Sequence, residues 1–342
     1  MTDHQARRTL RVLLSLAAGA ALLWLAFRGV DPGGVAASLA GVRLELLAAA
    51  IAVDLCVFLV KALKWRLLLA PLRRLPVPTL YSGVAVGALV ANVVPFRLDE
   101  LARAAFVARR SGLPGSAVLG TILVERAIDV SILLCAVGIL LVGFPGEAWL
   151  GRAGVALAVG LAAFWLARLE LGRHVARAPA RAPGALRDRA RALLERALGG
   201  LGHGLGAAPS GRRLAGAFGL GIAEWGCALV HLTLVLRAFG SVVPPDRALL
   251  LGAASYLGFA LPTGPAGLGG FELLVRGALE TGLALEPARA LGIALAIHAL
   301  LVLPISVIGA AVLVREGGWR ASFAAGPDDE GSASLTPRVE RA

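Results

Sequence analysis

Apolar residues fall in long blocks along this chain, at 12–27, 44–63, 77–94, 116–142, 155–167, 214–236, 248–261, 267–279 and 288–314, with polar residues gathered between them. About 20 consecutive apolar residues carry a helix across a bilayer, and several blocks reach that length. Alternation over ~10-residue strands would mark a barrel, and these blocks do not alternate. The pattern predicts an all-α, polytopic integral membrane protein. The expected count is six spanning helices and two re-entrant hairpins.

The hairpins come from two interruptions. The block at 77–94 stops at Pro95 and releases Arg97, Asp99, Glu100 and Arg103 within seven residues. Proline cannot donate to the helix ladder and breaks it. Lys61, Lys64, Arg66, Arg73 and Arg74 precede this piece, and Arg109 and Arg110 follow it. Basic flanks mark the cytoplasmic side, so the piece is expected to enter and return. The rival reading is one spanning helix followed by an interfacial one. The second interruption reads Leu-Pro-Thr-Gly-Pro-Ala-Gly-Leu-Gly-Gly-Phe-Glu at 261–272. The loop after it, 280–287, has two glutamates and no base, which places its mouth on the opposite face. Broken backbone at membrane depth is tolerated only inside protein or beside water, and opposed broken helices are a transporter device.

Between blocks, 28–43 contains Asp31-Pro32-Gly33-Gly34, read as a turn. Ten arginines between Arg168 and Arg213 mark 168–213 as a basic cytoplasmic loop, with an amphipathic helix expected at 185–198. Domain boundaries follow: a transmembrane domain over 1–316 and a disordered cytoplasmic tail over 317–342.

Composition agrees. Hydrophobic residues make up 58% and charged residues 16%, and mean hydropathy is +0.78. The net charge of +12 belongs to cytoplasmic helix ends facing anionic lipid, so nucleic acid is not an expected partner. Cys56, Cys135 and Cys227 lie inside apolar runs without a CxxC or a Cys/His cluster, so neither a disulfide framework nor a metal site is predicted. Nucleotide-binding, esterase and zinc-protease motifs are missing. No cofactor is expected.

The candidate chemistry is charge inside apolar sequence, which is costly in lipid and so faces protein or water. Glu125 and Asp129 share a helix face, with Arg126 three before Asp129. Their readings are a buried ion pair or a polar cavity for a charged headgroup or proton. Arg97 and Arg103 offer a planar fork suited to phosphate, or anchor at the interface. Glu100 has Arg103 three residues on, and Asn92 suits freed backbone groups. Gly267 and Gly269 allow exposed amides that hold an anion. Glu272 caps the next helix or lines a path. Asp54 shares a face with Lys61, and Glu224 with His231. His231 and His298 are read as packing residues.

Together these motifs resemble the lysylphosphatidylglycerol synthase transmembrane-region family, also called the flippase-like domain family. The resemblance rests on Lys64-Trp65; on Asn92, Pro95, Phe96-Arg97-Leu98, Glu100 and Arg103; on Glu125-Arg126 and Asp129; and on Pro265, Gly267, Gly269 and Glu272. It spans about residues 10–316. The chain departs from the family pattern at Asp99, where glycine is usual, and at Ala266, inside a Pro-Gly-Gly pattern. The resemblance implies the membrane half of the namesake, linked there to moving a modified lipid between leaflets. The namesake's soluble tRNA-dependent synthase domain is not expected.

The expected function is therefore a lipid translocase of the bacterial inner membrane with both termini cytoplasmic. Its expected cargo is an anionic phospholipid or a polyprenyl-phosphate lipid. The alternatives are a membrane-embedded transferase acting on a lipid phosphate, or a non-catalytic scaffold. Expected partners are membrane lipids, a second copy of the chain, or a separate lipid-modifying enzyme.

Overall fold

The structure is a computed structural model. It describes residues 16–94, 98–143, 210–261 and 264–318, with scattered positions from 152 to 162 and from 199 to 202. Pro95, Phe96 and Arg97, the amphipathic helix expected at 185–198, and the tail beyond 318 lie outside the described residues.

The described residues form helices and no strand. In chain order we label α1 (Leu16–Phe27), α2 (Pro32–Ser38), α3 (Leu44–Leu69), α4 (Val77–Val93), α5 (Asp99–Ser111), α6 (Gly115–Gly143), α7 (Gly211–Ala238), α8 (Pro245–Ala260), α9 (Gly270–Leu283) and α10 (Pro287–Arg315). Three of them, α3, α7 and α10, are long and apolar enough to cross a membrane. Helix α6 matches them at 29 residues but carries Glu125, Arg126 and Asp129 near its middle. The other two expected spans are α1, whose first residues fall outside the described set, and the block at 155–167, described only in part.

Local chemistry explains the boundaries. Asp31 caps α2 by accepting from the amides of Gly33 and Gly34 at 3.2 and 2.8 Å, with Pro32 at the first helical position. The segment read as a turn is therefore a short capped helix. Helix α5 holds together despite its charges because Asp99 and Glu100 occupy its first turn and Arg109 and Arg110 its last. That order complements the helix dipole. Gly112, at φ 64°, ends it in the left-handed region.

Both broken pieces double back. Helices α4 and α5 have 17 and 13 residues, and α8 and α9 have 16 and 14. At 1.5 Å per residue each is about 20–25 Å long, short of a ~30 Å hydrocarbon core. In the first hairpin Gly83 lies against Val107 and Gly87 against Asp99 and Arg103, an antiparallel register. In the second, Gly258 lies against Phe271 and Gly282 against Leu250.

The two tips meet beside the middle of α10. Asn92, at the tip of the first hairpin, donates to Ser306 Oγ at 2.8 Å. Ala266 and Glu272, at the tip of the second, contact His298. The outer ends of the hairpins point opposite ways. Arg110 pairs with Glu316 just past α10, while Arg289 near its start donates to the carbonyl of Phe239 at 2.6 Å. Arg66, Arg73, Arg109, Arg110 and Arg315 gather at the first of these ends, here termed the basic face.

Helices α3 and α7 pack antiparallel as the central pair, with Lys64 beside Glu224 and the Ala50 carbonyl beside His231. Packing of this kind, more than apolar burial, holds helices together in lipid. Leu232, Val235, Phe271, Val275, Ile293 and Ile297 fill one buried cluster, while Ile222, Leu303, Val307 and Val314 turn outward, as lipid-facing residues do. The chain is an all-α integral membrane protein.

Candidate functional site

A cavity of about 540 Å³ opens between α3, α7 and the two hairpin tips. Its wall is mostly apolar, with Phe58, Val84, Trp225, Leu232 and Ile305 among the lining residues. Asn92, Asp99 and Glu100 reach it from the first hairpin, and Gly264, Ala266 and Gly267 from the second.

A charge network forms its side toward the basic face. Lys64 is fully buried, bonded to Asp129 and, at 2.6 Å, to Glu224. Arg103 grips Glu125 with both prongs at 3.2 and 2.7 Å, and its guanidinium stacks 3.8 Å from the Trp65 ring. Trp65 is held in turn by its indole N–H, 3.0 Å from Thr121 Oγ1. Arg126 lies 3.0 Å from Glu100 and 3.4 Å from Asp129. Lys61 sits 3.6 Å from Glu224 and 3.8 Å from Glu125. Lys61, Lys64, Arg103 and Arg126 thus face Glu100, Glu125, Asp129 and Glu224, cation for carboxylate. Such balance is what makes buried charge tolerable in a low-dielectric interior.

The network has two tiers. Lys64, Arg103, Glu125 and Asp129 have side chains at most 5% exposed, and of these only Arg103 also borders the cavity. Lys61, Glu100, Arg126 and Glu224 are 14–28% exposed and line the cavity. The inner tier fixes the outer one, because Glu125 and Asp129 each touch residues of both. Helix α6 supplies Glu125, Arg126 and Asp129 within one turn or so, which is why a single helix serves both tiers.

Deeper in, Asp54 is 2% exposed, lines the cavity, and its Oδ2 has no hydrogen-bond partner among the described residues. His231 donates from Nδ1 to the Ala50 carbonyl at 2.9 Å, and its Nε2 is likewise unpartnered. At the second tip, Glu272 accepts the Gly269 amide at 2.6 Å through Oε2 and meets His298 Nδ1 through Oε1. His298 Nε2 lies 3.0 Å from the Ala266 carbonyl. Ala266 has φ 58°, in the left-handed region that residues other than glycine seldom visit.

Most of the residues singled out from sequence therefore converge. Asp54, Asn92, Glu100, Arg103, Arg126, Glu224 and Gly267 line one cavity, with Glu125 and Asp129 behind it. Gly269 and Glu272 stand at the second tip, and Arg97 lies outside the described residues. Pairings differ in detail, since Glu100 meets Arg126 rather than Arg103. Three residues gain weight. Lys64 is the centre of the network, Lys61 a cavity residue, and His298 the partner of Glu272. The available signal for the lysines was their spacing, because Asp54, Lys61 and Lys64 share one face of α3.

The chain is an all-helical membrane protein with a charge-lined cavity between two broken hairpins. More narrowly, the chain belongs to the lysylphosphatidylglycerol synthase TM region family, whose match runs over residues 12–309. The family relates the protein to lipid modification or flipping. No protein of curated description matches the chain.

Proposed function

We infer that the protein moves a phospholipid or another lipid phosphate between the leaflets of a bacterial inner membrane. The observation that carries this reading is the cavity, which both opposed hairpin tips line at once. A polar headgroup crossing the bilayer needs replacement contacts for its water at every depth. The cavity offers them in series: Glu100 and Arg126, then Lys61 and Glu224, then Asp54 with His231. The apolar part of the wall, Phe58 and Val84 among it, suits acyl chains. In this reading Lys61 and Arg126 meet the phosphate, and Arg103, Glu125 and Asp129 position them. The basic face lies in the cytoplasm, as the positive-inside rule directs.

The test is a leaflet assay in proteoliposomes with fluorescent lipids bearing anionic, zwitterionic and cationic headgroups. The expected result is headgroup-selective equilibration that is slowed about tenfold in Lys61→Met and lost in Glu125→Gln. Movement no faster than in empty vesicles, with the wild-type protein folded, would overturn the reading.

A further inference from the structure

The contacts around His298 count protons. Nε2 faces the carbonyl of Ala266 at 3.0 Å, and Nδ1 faces Oε1 of Glu272. A carbonyl oxygen only accepts, so the first contact needs a hydrogen on Nε2. The second needs a hydrogen between nitrogen and carboxylate. An ionised carboxylate and a neutral imidazole supply one hydrogen for these two places. Both contacts hold together only when the pair carries one proton more. That proton sits either on the ring, as imidazolium, or on Glu272, as carboxylic acid.

Removing it forces one contact open. The ionised carboxylate keeps the single N–H on Nδ1, and Nε2 then turns a lone pair toward the Ala266 carbonyl. Ala266 stands in a left-handed conformation unusual for its residue type, and this hydrogen bond is what fastens it to α10. Its loss releases the turn Pro265–Gly267, whose Ala266 and Gly267 line the cavity.

The surroundings leave the proton to this pair. Glu272 and His298 are 1% and 5% exposed, and the Phe259 and Phe271 rings flank the imidazole at 5.5 and 4.6 Å. On α9 the next charges are Arg276 and Glu280, which pair with each other at 2.5 Å. Across the cavity, α8 contributes Tyr256, α3 Asp54 and Lys61, α7 Glu224 and His231, α6 Arg126, and the first hairpin Asp99, Glu100 and Arg103. The described part of α1 carries no titratable group, α4 carries only Tyr81, and α10 carries no charge between Arg289 and Arg315. Among the described residues, none of these groups hydrogen-bonds or ion-pairs with Glu272 or His298.

We propose that Glu272 and His298 form a proton-binding site whose occupancy sets the conformation of the Pro265–Gly267 turn, and so the shape of the cavity wall. The site stands on this geometry alone. Its use as the coupling site for lipid movement rests on the translocase reading above.

The test is thiol labelling at Ala266→Cys in the full-length protein, after Cys56, Cys135 and Cys227 are changed to alanine. Glu272→Gln is the decisive background. A glutamine accepts the Gly269 amide through its oxygen and donates to Nδ1 through its nitrogen, so it holds the locked arrangement without the extra proton. Dividing the labelling rate with Glu272 intact by the rate in the Glu272→Gln background at each pH cancels the ionisation of the thiol itself. The expected ratio is near one in acid buffer and rises about fivefold or more toward alkaline buffer, once the shared proton has left. His298→Phe, which keeps a ring between Phe259 and Phe271, is expected to label fast at every pH. A ratio that stays at one from acid to alkaline buffer overturns the proposal. In proteoliposomes the same pair of proteins separates the two claims. A pH-dependent labelling ratio without any lipid movement removes the translocase reading and leaves the proton site. Lipid movement with a flat ratio does the reverse.

Discussion

Lys64 and Glu224 lie 2.6 Å apart although 160 residues separate them in the chain. The contact fastens the middle of α7 to α3 at a depth where neither charge has bulk water. It is one link in a network of paired charges that joins α3, α5, α6 and α7.

The bidentate pair in that network, Arg103 with Glu125, gives the first expectation. Glu125→Ala leaves Arg103 buried with no carboxylate on either prong. Removing one partner of a buried ion pair costs about 3–5 kcal/mol. Chemical denaturation in detergent is expected to show a loss of that size. Changing both residues to methionine is expected to recover most of it, because no charge is then stranded. A Glu125→Ala protein as stable as wild type would contradict the buried pair.

The two lysines of α3 are expected to behave differently. Lys64→Met removes the buried cation between Asp129 and Glu224, leaves them only Arg126 at 3.4 Å and Lys61 at 3.6 Å, and should cost about 3–5 kcal/mol of stability. Lys61 faces the cavity with its side chain 17% exposed and its partners at 3.6 and 3.8 Å. Lys61→Met should cost under about 1 kcal/mol. It should slow lipid movement about tenfold, the effect of losing roughly 1.4 kcal/mol of interaction along the path. Paired melting curves and leaflet assays check both statements, and equal destabilisation by the two changes would refute the two-tier description.

Close helix approach makes a third contrast. A Cβ on Gly258 would lie 2.7 Å from Phe271 Cα, whereas one on Gly277 would meet nothing within 4 Å. Gly258→Ala is expected to cost about 1–3 kcal/mol through overpacking. Gly277→Ala, in a helix interior with open space, should gain about 0.5–1 kcal/mol. Stability measurements on the two single variants should differ in sign.

At the basic face, the hydrogen bond from Arg110 holds the Glu316 carboxyl below the usual carboxylate range. A carboxylate depressed in the folded state contributes stability that is present above its unfolded value, about pH 4.3, and is lost as pH falls through the folded value. The side chain is 43% exposed, so the contribution is small and screened by salt. Glu316→Gln is expected to lower the melting temperature slightly at neutral pH, with the gap closing in acid and in high salt. A gap that persists unchanged in strong acid would show that the ion pair is not its source.

Much of this arrangement could be read from the chain before any coordinates. Pro95 and the Pro-Gly run at 262–267 break apolar blocks too short to cross a bilayer twice, so the hairpins announce themselves. Glu125, Arg126 and Asp129 stand out because charge inside a long apolar block is rare. Lys64 stood out only as part of the Lys64-Trp65 pair in the family resemblance, not as a buried charge. It sits among Lys61, Arg66, Arg73 and Arg74, and a basic cluster after an apolar run reads as a helix end at the interface. In fact α3 continues to Leu69, which carries Lys64 into the interior. Helix length decides that, and the carboxylates that neutralise the lysine there, Glu224 and Asp129, come from distant sequence. His298 was hidden for the same reason. A lone histidine in an apolar helix has no visible partner until folding brings Glu272, 26 residues away, against its ring.

Helix α10 ties the two hairpins to one another. Asn92 holds to Ser306, and Glu272 and the Ala266 carbonyl hold to His298. Nine residues of one rod, 298–306, about 12 Å at the helical rise, therefore bear both tips, with Pro304 set among them. Because both tips are fastened to that one stretch, a displacement of it would be felt by the two hairpins together, and neither tip can shift along it without breaking a hydrogen bond of its own.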